Sequence, residues 1–218
     1  MSSSSGSPVG PPPGASPAST PIASRSPAEA LAELLSGNRR FLSRQPLHGH
    51  DVTAAEASAS GDQAPYAVVL GCIDSRVPLE AIFDQTFGSI CVIRSGAHVL
   101  DRAVTGSVEF AVAALSVPLV VVLGHERCGA VASTVNALRG GENPGGALGY
   151  LIDQIAPSVV EVGPNHPEVH PLATRRHVGR TVAELRENAV LAAGCRTGRV
   201  DVVGAIYDLG TGRVDLLS

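Results

Sequence analysis

The sequence predicts an α/β fold in which a mostly parallel central β-sheet is flanked by helices. Two short apolar runs, 68–70 and 121–123, are each followed by glycine. Continuous runs of Val and Leu are typical of parallel strands that are buried on both faces. Segments whose apolar residues recur at helical spacing alternate with such runs. With 218 residues, 44% of them hydrophobic, the chain is long enough to bury one sizeable core.

Residues 1–26 differ in composition from the rest of the chain. They contain nine Ser and six Pro and almost no large apolar side chain. Such a segment cannot bury enough apolar surface to offset the entropy that is lost when a chain becomes ordered. We therefore expect a disordered Ser/Pro-rich tail over residues 1–26 and a single α/β domain over residues 27–218.

The domain is predicted to begin with a helix. Ser26, followed three residues later by Glu29, has the pattern of a capping box, and Pro27 suits the first helical position. Gly37 predicts the end of this helix, because glycine is common just past a helix C-terminus. The polar and weakly patterned segment 46–64 predicts an irregular or partly helical connection.

Strands and helices are then predicted to alternate along the chain. The predicted strands are 66–71, 89–93, 119–123 and 202–207. The predicted helices are a short turn at 79–83, a helix of about 13 residues starting near Arg102, and helices over 129–138, 148–160 and 178–193. Between them lie a glycine-rich loop at 140–149 and a His/Pro-rich segment at 163–171.

Charge and composition limit the partners that the chain can have. A net charge of −4 and a pI near 5.9 provide no basic surface for nucleic acid or for an anionic membrane. No apolar stretch approaches the roughly 20 residues that span a bilayer. The N-terminal residues do not resemble a secretion signal, so we expect a cytoplasmic protein. In that compartment four cysteines indicate metal binding or simple burial rather than disulfides.

Three residues with metal-binding side chains follow the two apolar runs. Cys72 comes directly after the first Leu-Gly, and His125 comes directly after the second, with Cys128 three residues later. Parallel strands joined by helical crossovers end at the same edge of a sheet, so these side chains are expected to meet. Two thiolates and one imidazole form a zinc site with one position left open. Asp74 and Arg76 are expected to face the same side of the loop as Cys72.

Each of these residues also has an ordinary structural explanation. A single cysteine after a strand is more often a small buried apolar residue than a ligand, and we expect Cys91 and Cys195 to be packing residues of that kind. The joint occurrence of Cys-x-Asp-x-Arg and His-x-x-Cys after two similar strands favours a metal site. The glycine-rich loop at 140–149 does not follow a strand in the spacing of a phosphate-binding loop.

Two segments, Gly71–Val77 and Gly124–Ala130, resemble the paired signatures of the β-class carbonic anhydrases. Weaker similarity extends in the right order from about residue 28 to the end of the chain. The resemblance implies a parallel sheet with a C-terminal edge strand, and an N-terminal helical arm that wraps a second subunit. A homodimer or homotetramer is expected. Gln63 matches a glutamine that lies near the substrate across the dimer interface in this family.

The resemblance also implies the roles of the site residues. Cys72, His125 and Cys128 would bind Zn²⁺. Asp74 would either occupy the fourth position in a closed state or, when it turns toward Arg76, leave that position to water. Asp74 and Arg76 would then be the catalytic pair. Ile73 departs from the small residue that is common at its place in the family, and the chain has no tryptophan for a second bicarbonate site of the known kind.

The implied function is the zinc-dependent reversible hydration of CO₂ to bicarbonate and a proton. Zinc lowers the pKa of bound water toward about 7, and the resulting hydroxide can attack the carbon of CO₂. Two alternatives stay open at this point. The same site could hydrolyse COS or CS₂, since pocket width decides among small linear triatomic molecules. A non-catalytic binding module would result if Asp74 closed the metal shell permanently.

Overall fold

The computed structural model describes residues 25–48, 51–59 and 63–217. The predicted tail therefore lies, apart from Arg25 and Ser26, outside the described residues. The strands are β1 (Ala67–Cys72), β2 (Ile90–Ser95), β3 (Leu119–His125), β4 (Asp201–Tyr207) and β5 (Val214–Leu216). They form one sheet in the order β2-β1-β3-β4-β5, in which only β5 runs antiparallel. This sheet confirms the predicted α/β fold and its C-terminal edge strand.

Eight α-helices surround the sheet within the described ranges. They are α1 (Pro27–Leu42), α2 (Val52–Ala59), α3 (Leu79–Ile82), α4 (Arg102–Ala113), α5 (Gly129–Leu138), α6 (Gly146–Val162), α7 (Val169–Glu187) and α8 (Ala192–Arg196). A single 3₁₀ turn, Gly96–His98, follows β2. None of the helices in the described part combines the length and apolar character needed to cross a membrane.

Both faces of the sheet are covered, as the apolar runs predict. All residues of β1 and β3 are buried. On one face, α1 and α3 pack against Val69 and Val121, and on the other, α4 and α7 pack against Val68 and Val120. A third apolar cluster, built from α5, α6 and the start of α7, lies beside Cys72 at the carboxyl ends of the strands.

Two predicted helices have wrong boundaries, and each difference has a local cause. The first helix continues past Gly37 to Leu42. At Gly37, α1 lies so close to the backbone of Phe83 that a Cβ would collide with the carbonyl oxygen of that residue. The glycine therefore permits close packing and does not end the helix.

The helix predicted at 178–193 instead runs from Val169 to Glu187. Pro171 is tolerated at its start because the first amides of a helix have no intrahelical partner. Its end is set by Asn188, which is extended (φ −57°, ψ 135°) and whose side-chain oxygen accepts hydrogen bonds from the amides of Val190 and Leu191. The side chain of Asn188 thereby takes the place of the helical hydrogen bonds.

Asn38 joins the N-terminal helix to the end of the chain. Its buried side chain donates to the carbonyl oxygens of Ile82 and Gly212 at 3.1 and 3.0 Å, and it accepts from the amide of Val214 at 3.1 Å. We expect Asn38→Ala to lower the free energy of unfolding by roughly 2–4 kcal/mol, because three backbone groups lose their partner. Urea denaturation measures this change.

Asn136→Ala is the matched control for that measurement. Asn136 is exposed on α5, and its truncation should change the free energy of unfolding by no more than about 0.5 kcal/mol. Equal losses for the two variants would contradict a specific role of Asn38.

Candidate metal centre

The sheet brings three predicted ligands to one place. β1 and β3 are parallel neighbours, and Gly71 pairs with Leu123, so Cys72 and His125 emerge at the same edge. Arg127 has a positive φ of 53°, which turns the chain back so that Cys128 stands at the N-terminus of α5. The possible ligand atoms of the three residues all lie within 4.8 Å of one another, and all three residues are buried.

The orientation of the His125 ring suits a metal ligand. Its Nδ1 lies 2.8 Å from the carbonyl oxygen of Glu126. A carbonyl can only accept, so Nδ1 carries the proton and Nε2 keeps its lone pair. Among the described residues, this Nε2 is the one buried side-chain polar atom without a hydrogen-bond partner. A buried polar atom is normally satisfied, and a cation bound at the site would satisfy this one.

The two thiols of the site lie against each other. Their sulfur atoms are 4.0 Å apart. The hydrogen bond with Cys128 lowers the pKa of the Cys72 thiol below its usual range, against the opposing effect of burial. The pKa of Cys128 is raised in turn by the negative Cys72 sulfur and by burial. Two neighbouring sulfur atoms and one imidazole lone pair fit a divalent cation that favours sulfur and nitrogen ligands.

Asp74 and Arg76 form a bidentate ion pair beside the cluster. Arg76 donates from Nε to Oδ1 of Asp74 at 2.9 Å and from Nη2 to Oδ2 at 2.7 Å. These hydrogen bonds hold the pKa of Asp74 well below its usual range. The Oδ2 atom is also 3.9 Å from Nε2 of His125. The carboxylate therefore stands next to the three ligands while it is turned toward Arg76.

Arg94, on β2, holds the loop that carries Asp74. It donates to the carbonyl oxygen of Cys72 at 2.9 Å and to that of Asp74 at 2.6 Å. Arg94 had no predicted role in the site. The available signal was its position at the end of a strand next to β1, where its register partner is Gly71.

A second unassigned feature is the 3₁₀ turn after β2. The amide of Ala97 donates to Sγ of Cys72 at 3.4 Å. Ala97 and His98 both have φ of 49°, a left-handed conformation that costs roughly 1–2 kcal/mol per residue outside glycine. Strain of this kind persists where the surrounding structure fixes the backbone. No residue pattern in the sequence signals it, because neither position is Gly or Asn.

The remaining predicted residues lie apart from the ligand cluster. Gln63 is exposed and lies with Arg94, Arg102 and Phe110 along a groove between β2 and α4 at the sheet edge. Its contribution to a site across a subunit interface stays a prediction. The two other cysteines, Cys91 and Cys195, are partly buried and pack against the apolar core.

Comparison with known proteins gives relatives that align over most of both chains. A family model described as carbonic anhydrase matches residues 67–214. The carbonic anhydrase of Mycolicibacterium smegmatis is 42% identical over 197 residues, which cover 88% of this chain and 94% of that protein. Carbonic anhydrase 2 of Mycobacterium tuberculosis is 39% identical over 192 residues, with 88% and 93% of the two chains covered.

Solved structures show the same fold at lower sequence identity. One of two tetrameric β-carbonic anhydrases from the ascomycete Sordaria macrospora superposes with a TM-score of 0.69, at 24% identity, over 86% of this chain and 96% of that chain. The Coccomyxa β-carbonic anhydrase in complex with acetazolamide gives 0.67, at 22% identity and 86% of both chains. With its matching family model, its relatives and its sheet, the chain belongs to the β-carbonic anhydrases.

Proposed function

We propose that this protein catalyses the zinc-dependent reversible hydration of CO₂ to bicarbonate and a proton. The observation that carries the proposal is the buried Cys72, His125 and Cys128 cluster with an unpartnered Nε2 beside an ionised Asp74. Relatives that bear the name carbonic anhydrase, up to 42% identical among those compared, support the same activity.

Cys72, His125 and Cys128 would hold the zinc ion. Two sulfurs and one imidazole nitrogen are ligands that zinc favours, and three protein ligands leave the fourth position free, as catalytic rather than structural zinc requires. When bound, zinc supplies Lewis acidity that makes water ionise near neutral pH. The burial of all three ligands favours retention of the ion in a dry environment.

Asp74 would orient the attacking water. As an ionised carboxylate it can only accept hydrogen bonds, so a water that donates its O–H to Asp74 keeps a lone pair for the carbon of CO₂. Arg76 keeps the carboxylate charged and fixes its direction through two parallel hydrogen bonds. The same pairing argues against a permanently closed metal shell, because Asp74 would have to give up Arg76 to become a ligand.

The test is the rate of CO₂ hydration by stopped flow from pH 7 to 9, with zinc content determined on the same sample. A rate well above that of the buffer, with about one zinc per chain, is the expected result. No rate above the buffer on zinc-loaded protein would overturn the proposal. A parallel measurement with COS separates the two substrates: faster turnover of COS than of CO₂ would assign the same site to COS hydrolysis.

We further propose that the active form is a homodimer or homotetramer. The edge strand β2 leaves one side of the sheet without a partner strand in the described chain, and Phe110 beside it is 60% exposed. Gln63 lines the same groove, so a second copy docked there could bring Gln63 toward its neighbour's site. We expect sedimentation equilibrium to give a multiple of 22.2 kDa. The mass of one chain at micromolar concentration would contradict this.

A further inference from the structure

Two buried histidines stack on each other close to the metal site and have no role in the proposed reaction. His98 lies in the 3₁₀ turn after β2, and His177 lies on α7. Their ring centroids are 4.7 Å apart and their planes differ by 25°. Only 2% of His98 and 5% of His177 is exposed. Buried imidazoles need partners for both nitrogens, so their hydrogen bonds show what the pair supports.

The hydrogen bonds fix the proton positions of both rings. Nε2 of His177 lies 3.0 Å from the carbonyl oxygen of Ala97, so it must donate. The hydroxyl of Thr181 uses its one hydrogen to donate a hydrogen bond to the carbonyl oxygen of His177 at 3.0 Å. Toward Nδ1 of His98, at 3.4 Å, the same hydroxyl can therefore only accept. Burial lowers the pKa of both imidazoles, that of His177 to about 4, and both rings are therefore neutral at pH 7.

This network ends on a metal ligand. The carbonyl oxygen of Ala97 accepts a hydrogen bond from Nε2 of His177, and the amide of the same residue donates a hydrogen bond to Sγ of Cys72. Ala97 can make both bonds because it is left-handed (φ 49°, ψ 41°), a backbone conformation that an alanine does not hold unaided. The stacked histidines flank this residue, since His98 follows it in the chain and His177 binds its carbonyl group.

We propose that His177, supported by the stacked His98, is a positioning residue for the metal centre that holds the Ala97 amide on the sulfur of Cys72. A hydrogen bond to a thiolate withdraws charge from the sulfur and leaves the bound metal a stronger Lewis acid. His177 acts through Ala97 and does not contact substrate or metal. The inference rests on the proposed use of Cys72 as a ligand.

The test compares His177→Leu with His177→Gln in protein whose zinc is replaced by Co²⁺. Leucine fills the space without a donor, whereas the glutamine amide can still donate to Ala97. We expect the sulfur-to-cobalt charge-transfer band to move to longer wavelength in His177→Leu, because its thiolate is richer in electrons, and to stay near the parental position in His177→Gln. The Ala97 amide should exchange its hydrogen at least about tenfold faster in metal-free His177→Leu than in the parent.

Val159→Ala is the control for general loosening of the same core. Val159 is fully buried in the cluster that contains Cys72, but it belongs to none of these hydrogen bonds. An unchanged band and unchanged Ala97 exchange in His177→Leu would overturn the proposal, and so would an equal shift in Val159→Ala. If His177→Leu does not fold, Thr181→Val carries the test, with a smaller shift of the same sign expected and no shift overturning the inference.

The two proposals fail in different ways. Absence of any charge-transfer band in the parent protein would mean that Cys72 is not a metal ligand, which overturns the metal centre and this inference together. A normal parental band that His177→Leu leaves in place overturns only the role of His177.

Discussion

Cys128→Ala is expected to abolish both metal binding and CO₂ hydration. The substitution removes one of the two proposed sulfur ligands and leaves the Nε2 of His125 and the thiol of Cys72 without the third member of their cluster. Loss of a residue that merely supports a ligand costs about 10–100-fold in metal affinity or activity, so loss of the ligand itself should exceed that range. Zinc content by atomic absorption and the stopped-flow hydration rate measure the two effects.

Cys195→Ala provides the matched control. This substitution also removes a thiol, but from a partly buried residue that packs against the apolar core and lies far from Cys128 in the sequence. Zinc content and hydration rate should equal those of the parent. Full zinc content and activity in Cys128→Ala, with a parental circular dichroism spectrum, would rule out Cys128 as a ligand.

Asp74→Ala is expected to keep its metal and lose most of its activity. The three proposed ligands remain in place, but the carboxylate that would orient water is gone and Arg76 loses its partner. Removal of one preorganised hydrogen-bonding group from an active site costs about 10²–10³ in rate. We expect a loss of that size in the hydration rate, with zinc content unchanged.

Asp215→Ala is the control for this substitution. Asp215, on β5, pairs with Arg213, also two residues away, at 2.9 Å, but this pair is largely open to solvent. Its loss should leave hydration unchanged, since exposed pairs contribute little even to stability. A loss of zinc on Asp74→Ala would instead identify Asp74 as a ligand and favour a closed metal shell.

The sequence was sufficient to predict the sheet and the group of three possible ligands, because both depend on local patterns. The apolar runs indicated β1 and β3. Because these strands pair in parallel, the residues that follow them lie at the same edge of the sheet. His125 and Cys128 are only three residues apart, so both can stand at the carboxyl end of the same strand. Their meeting with Cys72 therefore required only the topology of the sheet.

What could not be predicted depends on contacts between distant segments. The close approach of Gly37 to Phe83 and the three hydrogen bonds of Asn38 arise only after α1 has packed. The same is true of His98 and His177, which lie on different elements and meet through the packing of α7. Neither histidine stands next to a recognisable motif, so their relation to Cys72 depends wholly on tertiary structure.

The placement of Cys72 and His125 on neighbouring central strands would also give a bound metal ion a part in folding. A long stretch of chain that includes β2 and α4 separates these two residues. An ion bound to both acts as a reversible cross-link that closes this stretch into a loop. Since the unfolded chain offers no assembled site, metal occupancy and cooperative folding would be thermodynamically coupled. The proposed catalytic ion would thus also stabilise the fold by cross-linking the two central strands of the sheet.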